Sequence, residues 1–338
     1  MDDLIRTFVF KIKCVDQLEQ IKQPIIEDLK RFNQIFDETL HHSNPLLDVV
    51  FQHIRNRKGK LMRPTLLFLV AREFGVPVEA TYLSAVMLEL LHTASLVHDD
   101  IVDESDERRG QASVNAIYGN KEAVLVGDFL LSSSLEKASQ TKNLRIVDHI
   151  SSLGKQLSSG EILQLSNSKK NELSEEAYYD VIRLKTAVLF ASTAEVAAIS
   201  VGASEYDVKR MYDFGDNLGI CFQIRDDIFD YYDNPKIGKP TGNDMLEGKL
   251  TLPALYALRT AQDDDMFFLA SKIKQGSADK QEISTLIEFT KSHGGIEYAE
   301  KCMRSFAERA LNLLSDFKHE EIRSSLVSYV NFVTQRNK

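Results

Sequence analysis

Residues 80–103 read ATYLSAVMLELLHTASLVHDDIVD. Leu83, Val86, Met87, Leu90, Leu91, Ala94, Val97 and Ile101 recur at steps of one, three and four. That is the spacing of one helix face, not the alternation of a strand. The run ends in three carboxylates, Asp99, Asp100 and Asp103, and within five residues turns basic at Arg108 and Arg109. An apolar helix that ends in clustered like charges needs a matching feature elsewhere in the chain.

Outward from this helix the same periodicity continues. It predicts helices over 16–41, 120–138, 144–167, 174–201 and 204–232, and helix again through 250–338. His41-His42-Ser43-Asn44-Pro45 marks a break, and Arg55 to Arg63, with Gly59, reads as a loop. Pro64 opens a helix in its first turn, and Gly75-Val76-Pro77 stops it. Residues 233–249, with two prolines and three glycines, read as an ordered loop. Glycine (16 of 338) and proline (7 of 338) both fall below the usual ~7% and ~5%, which agrees with an all-α chain. Length alone would suggest two domains, but a helix bundle can keep adding layers, so one domain over 1–338 is expected.

The net charge of −9 argues against a nucleic-acid surface. Cys14, Cys221 and Cys302 are odd in number and far apart, which reads as reduced thiols in a cytoplasmic protein. The acidic start MDDLIRTFVFKIKC does not read as a signal peptide. The most apolar stretch, TAVLFASTAEVAAISVGA (186–203), contains Glu195 and several hydroxyls, so it reads as a core helix and not a membrane span.

Asp99 and Asp103 are four residues apart and share a helix face, at a cost of a few tenths of a kcal/mol. A solvated helix end tolerates that. A hard cation would use it, because Mg2+ is typically held by one or two carboxylates plus substrate phosphates. The second cluster decides between these readings. QIRDDIFDYYD repeats the spacing at Asp226, Asp227 and Asp230, 127 residues further on (226 − 99). On its helix, Gly215, Gly219, Gln223, Asp227 and Asp230 fall on one face. Each interior glycine costs about 1 kcal/mol against alanine. This small face reads either as clearance for a ligand or as close helix packing.

Cations accompany the acids. Lys60 and Arg63 stand at a helix start, where free N–H groups already favour anions. Arg108 and Arg109 follow the first cluster, Lys185-Thr186 interrupts an apolar helix, and Lys239 and Lys249 flank the 233–249 loop. Together these residues describe a site for a metal-bound polyphosphate. His92, two turns before Asp99, reads as a core histidine or as part of a Glu89–His92 ExxH metal motif. With Glu38–His41 that would be a di-iron pair. The aspartate clusters have no role in a di-iron site.

GKLMRP (59–64), LLHTASLVHDDIVDESDERRG (90–110), KTA (185–187), QIRDDIFD (223–230), GKPTGND (238–244) and EGKLTLP (247–253) occur in order along the chain. With these motifs the sequence resembles the trans-isoprenyl diphosphate synthases of the polyprenyl synthetase family, over roughly 45 to 330. The resemblance implies antiparallel helices around a central cavity, the isoprenoid synthase fold, and a homodimer. It implies that Asp99, Asp100, Asp103, Asp226, Asp227 and Asp230 bind Mg2+, three ions with bound diphosphate. Arg108, Lys185, Lys239 and Lys249 would hold the allylic diphosphate, farnesyl or geranyl. Lys60, Arg63, His92 and Arg109 would hold isopentenyl diphosphate. Thr186 and Gln223 would stabilise the nearby carbocation. Asn243 stands where many relatives carry lysine.

The implied reaction is ionisation of the allylic diphosphate, attack by the double bond of isopentenyl diphosphate, and loss of a proton. Product length is implied by the helix carrying Asp99. Ala94 lies five residues upstream, about 7.5 Å along the axis, with Ser95 beside it and Leu91 beyond. In the family a bulky aromatic at Ala94 or Ser95 floors the tunnel. Both are small here, which resembles the long-chain, octaprenyl-type synthases that make quinone tails. Phe129 and Leu163 are candidates for a deeper floor. A lipid-like product makes peripheral membrane contact reasonable. The competing readings are a farnesyl or geranylgeranyl synthase, a terpene cyclase and a non-catalytic subunit. The repeated DDxxD spacing argues against a cyclase, and two intact clusters argue against a non-catalytic subunit.

Overall fold

The structure is a computed structural model that describes residues 17–56, 59–108, 110–168, 173–232 and 241–335. A 3-10 turn at Gln23–Ile25 precedes α1 (Ile26–Thr39), α2 (Pro45–Asn56), α3 (Met62–Phe74) and α4 (Glu79–Val102). A two-stranded hairpin follows, β1 (Glu107–Arg108) with β2 (Gln111–Ala112). Next come α5 (Val114–Tyr118), α6 (Asn120–Gln140), α7 (Leu144–Ser168) and α8 (Glu175–Ile182). A π-helical turn at Arg183–Ala187 joins α8 to α9 (Val188–Ser200), and α10 (Glu205–Phe229) follows. The remaining helices are α11 (Asn243–Leu246), α12 (Leu252–Ala261), α13 (Asp264–Lys274), α14 (Lys280–Ser292), α15 (Gly295–Asn312) and α16 (Glu320–Gln335).

The chain divides into two compact units. The first is Met1–Gly154 with Phe190–Gly215 and Leu311–Phe332. The second is Lys155–Leu189 with Asp216–Ala310 and Val333–Lys338.

In the first unit α3 is a core helix. Leu66 through Ala71 are wholly buried, as expected for a helix apolar on every side. Phe32, Phe68 and Tyr82 pack in series, the first pair edge-on and the second tilted, with centroids 6.4 and 5.4 Å apart. The buried Asp28 ties three helices together. Arg72 forks onto its two oxygens at 2.8 and 2.9 Å, and the Tyr82 hydroxyl donates to Oδ1 at 2.7 Å. In the second unit Ile224, Ile228, Leu258, Ile273 and Leu286 form the core.

Four features differ from the sequence reading. Pro24 interrupts the opening helix with a 3-10 turn. The 174–201 segment breaks into α8, the π turn and α9. The hairpin was illegible because two-residue strands have no alternation to read; it turns at Gly110, φ +75°. The described part of the 233–249 loop contains α11.

Among the described residues the one helix long and apolar enough to cross a membrane is α4, not the 186–203 stretch. Since 72% of its apolar window is buried, α4 is a core helix.

Candidate active site

In the first unit the acidic end of α4 is met by the basic segment that follows it. Asp99 and Asp100 close the last turn of α4, and Asp103 is its C-cap, donating its N–H to the Asp99 carbonyl at 2.8 Å. The hairpin then folds the basic segment back onto the acidic one. Arg108 Nε donates to Oδ1 of the buried Asp100 at 2.5 Å. Ser113 holds the loop by donating to the Ser105 carbonyl at 2.7 Å, and Asn115 donates to the same oxygen at 3.2 Å. Asp99 and Asp103 remain half-buried on one face. Beside them, His98 Nε2 lies 3.3 Å from the Val124 carbonyl of α6. A Cβ at Gly127 would stand 2.1 Å from that ring, so α6 needs glycine there for His98 to seat.

Lys60, exposed, and Arg63, half-buried, flank the start of α3. Leu61 between them adopts the left-handed region, φ 54°. The Arg63 guanidinium lies 5.2 Å from the Phe190 ring centroid, and the Lys60 ammonium 5.4 Å from that of Phe332. His92 is buried in α4, where its carbonyl accepts the Ser95 hydroxyl at 2.9 Å. Leu91 and Ala94 are buried in the same helix. Phe129 packs its ring on Phe51 and on His42, each 5.4 Å away.

In the second unit a continuous chain of hydrogen bonds leads to the second cluster. Thr186, in the π turn, donates to Gln223 Oε1 at 2.7 Å. Gln223 Nε2 donates to Asp227 Oδ1 at 2.8 Å, and the Tyr178 hydroxyl donates to Asp227 Oδ2 at 2.5 Å. Lys185 pairs with Glu161 at 2.6 Å. π-helical turns recur at functional sites, and this one places Lys185 and Thr186 in succession. It is accommodated by Gly160, where a Cβ would meet Leu184 Cβ and the Lys185 nitrogen at 2.9 Å.

Asp230 accepts the backbone N–H groups of Asn243 and Asp244, each at 3.0 Å, and so holds α11 in place. The Asn243 side chain donates to Glu247 at 2.7 Å, and Lys249 pairs with Glu247 at 2.6 Å. Asp226 is half-buried one residue before Asp227.

The electrostatics of this cluster suit a cation. Burial pushes Asp227 up to about 7 against the pull of the Tyr178 and Gln223 hydrogen bonds, and the Asp226 and Asp230 carboxylates add to the rise. Asp244 is held well above its ordinary value by burial, Asp230 and Asp227. Carboxylates that raise one another are relieved by a divalent ion, and an all-oxygen donor set suits Mg2+. Among the described residues no group of three or more His, Cys, Asp or Glu side chains is placed to hold a metal ion by itself. An ion completed by substrate phosphates fits that arrangement. The di-iron reading has no support: His41 faces Asp48 at 3.2 Å and Arg55 at 2.6 Å.

The glycine face of α10 serves helix packing. A Cβ at Gly219 would stand 2.5 Å from Ala187 Cα, and one at Gly215 would stand 2.5 Å from the Phe190 carbonyl oxygen. Arg109 and Lys239 lie outside the described residues. Sequence reasoning missed Tyr178, Glu161 and Gly160. Gly160, inside a helix, was the one with a local signal.

The polyprenyl synthetase family profile matches residues 44–290. The chain is 34% identical to octaprenyl diphosphate synthase of Haemophilus influenzae, over 96% of this chain and 98% of the relative. Of solved structures, geranylgeranyl pyrophosphate synthase from Bacteroides thetaiotaomicron is 49% identical, with a TM-score of 0.84 over 95% of this chain and all of that one (100%). Polyprenyl synthase from Caulobacter crescentus, solved with calcium and isoprenyl diphosphate, is 28% identical, with a TM-score of 0.89 over 95% of this chain and 98% of that one. An all-α protein with two DDxxD helix ends and these neighbours is a prenyltransferase of the isoprenoid synthase fold. The chain belongs to the polyprenyl synthetase family. That family condenses allylic diphosphates with isopentenyl diphosphate and depends on divalent metal.

Proposed function

We propose that the protein is a Mg2+-dependent, long-chain trans-polyprenyl diphosphate synthase of the octaprenyl type, elongating farnesyl or geranyl diphosphate. The observation that carries the length assignment is α4 upstream of Asp99. Ala94 is small and buried, Ser95 is turned back onto the His92 carbonyl, and no aromatic residue occupies either position. A second reading, a geranylgeranyl synthase, is favoured by the 49% identity to the Bacteroides protein. It requires a floor other than Ala94 or Ser95.

Asp99 and Asp103 would supply oxygen ligands to Mg2+ in the first unit, and Asp226 would do so in the second. When bound, Mg2+ would supply neutralisation of the charge that develops on the leaving diphosphate. Asp100, Asp227 and Asp230 belong to the same clusters and have a positioning share, since their oxygens already accept from Arg108, from Tyr178 and Gln223, and from the α11 backbone. Arg108, Lys185, Lys239 and Lys249 hold the allylic diphosphate. Lys60, Arg63, His92 and Arg109 hold isopentenyl diphosphate. The Thr186 hydroxyl spends its proton on Gln223, which leaves its lone pairs for the allylic cation.

A homodimer would cover Val124, Leu125 and Leu135, apolar side chains of α6 that are exposed in the single chain. The enzyme works in the cytoplasm, with peripheral membrane contact through its product, a quinone side-chain precursor. Purified protein with Mg2+, farnesyl diphosphate and isopentenyl diphosphate, followed by mass spectrometry, tests the proposal. Products of eight isoprene units or so support it. Products that stop at four isoprene units establish the second reading.

A further inference from the structure

We infer that the C-terminal helix α16 is part of the isopentenyl diphosphate site, with Tyr329 and Phe332 as positioning residues for Lys60 and Arg63. The inference deepens the proposed function and rests on its assignment of Lys60 and Arg63 to isopentenyl diphosphate.

The first unit shows α16 tied to both ends of α3. At one end Glu73, buried near the end of α3, accepts the backbone N–H of Lys318 at 2.7 Å and of His319 at 3.3 Å. These N–H groups stand just before the first turn of α16, and Glu73 accepts the one at the N-cap position as a capping-box glutamate would, from a distant part of the chain. His319 Nδ1 also lies 3.1 Å from the Glu73 carbonyl oxygen, and Phe317 packs edge-on to Phe74 at 5.7 Å. At the other end the Tyr329 hydroxyl donates to the Met62 carbonyl at 2.9 Å. One turn further, the Phe332 ring lies under the Lys60 ammonium, 5.4 Å from its centroid. Both aromatic side chains are buried, so neither moves without repacking.

The segment they hold is strained. Leu61 at φ 54° occupies a region that costs an ordinary side chain roughly 1–2 kcal/mol and persists only where its surroundings over-determine it. The left-handed residue sits between the two cations and sets the directions in which Lys60 and Arg63 leave the backbone. Tyr329 fixes the peptide just after it, and Phe332 fixes the side chain just before it. Both cations therefore stand aimed before substrate arrives, which lowers the ordering cost of binding a diphosphate.

The test uses the full chain and steady-state kinetics in both substrates. Tyr329→Phe removes one hydroxyl, and Phe332→Leu removes the ring while keeping the site apolar. Each is expected to raise KM for isopentenyl diphosphate about three- to tenfold, the scale of one lost hydrogen bond or cation–π contact. KM for the allylic diphosphate should stay near its starting value at a temperature where each variant is fully folded, which a purely structural role would not achieve. Lys60→Ala and Arg63→Ala run in parallel. If they raise KM for isopentenyl diphosphate while the α16 variants do not, the positioning role is overturned and the assignment of the cations stands. If neither set does, the assignment itself fails, and the positioning role with it. An equal rise in both KM values also overturns the inference.

Discussion

Gly219→Ala puts the close approach of α10 to the π turn under direct test. A Cβ at Gly219 would stand 2.5 Å from Ala187 Cα and 3.1 Å from the Ala187 carbonyl oxygen, whereas ordinary contact begins near 3.4 Å. The two elements must separate by about 0.9 Å (3.4 − 2.5), because the obstacle is backbone and not the far end of a flexible side chain. Ala187 follows Thr186, whose bond to Gln223 is 2.7 Å long, so the same displacement stretches it to about 3.6 Å, past hydrogen-bond range. Two energies compete. Alanine gains about 1 kcal/mol of helix propensity, and overpacking costs about 1–3 kcal/mol or more where backbone shifts. The net expectation is a loss of up to about 2 kcal/mol and a melting temperature lower by several degrees. The rate constant kcat should fall with it, since Thr186 and Gln223 lose register.

Gly154→Ala supplies the control. It is also inside a helix, nothing stands within 4 Å of its Cβ position, and it should stabilise by up to about 1 kcal/mol. Calorimetry and steady-state kinetics on both variants decide the matter. A Gly219→Ala protein as stable as Gly154→Ala, with unchanged kcat, would refute the packing argument.

Other perturbations probe the remaining parts of the site. Asp227 titrates up to about 7 in the folded, metal-free protein, against 3.8 as its ordinary value. The folded state binds that proton more tightly, so the stabilisation is full below about 4 and is lost as pH rises through about 7. The melting temperature of metal-free protein should therefore fall as pH rises from about 4 to about 7 and level off above that, and a flat profile would contradict the assignment. Ala94→Phe should shorten the product by several isoprene units without abolishing turnover, as read by mass spectrometry; an unchanged product would place the chain elsewhere than along α4. Leu125→Glu, at an exposed apolar position of α6, should shift the protein from dimer to monomer in sedimentation, with little change in its helical circular dichroism.

Much of the site was legible because its signals are local. A spacing of four puts Asp99 and Asp103 on one helix face whatever else the chain does, and the repeat at Asp226 and Asp230 reads, by chemistry alone, as a place for a cation. Pro64 sits in the first turn of α3 for an equally local steric reason. The sequence could not say what Gly219 was for, because clearance for a ligand and contact with a neighbouring helix demand the same absent Cβ. Only the position of the Ala187 backbone decides it.

The partners of the charged groups were equally hidden. Tyr178 lies 49 residues from Asp227, and Tyr329 lies 267 from Met62, separations at which no periodicity carries information. The kinds of residue the chemistry needs, and the helices that carry them, were thus determined by the sequence. Which oxygen is already taken, which cation is already aimed and which backbone touches which were decided by tertiary packing, because these depend on distances that the chain acquires only when its helices close on one another.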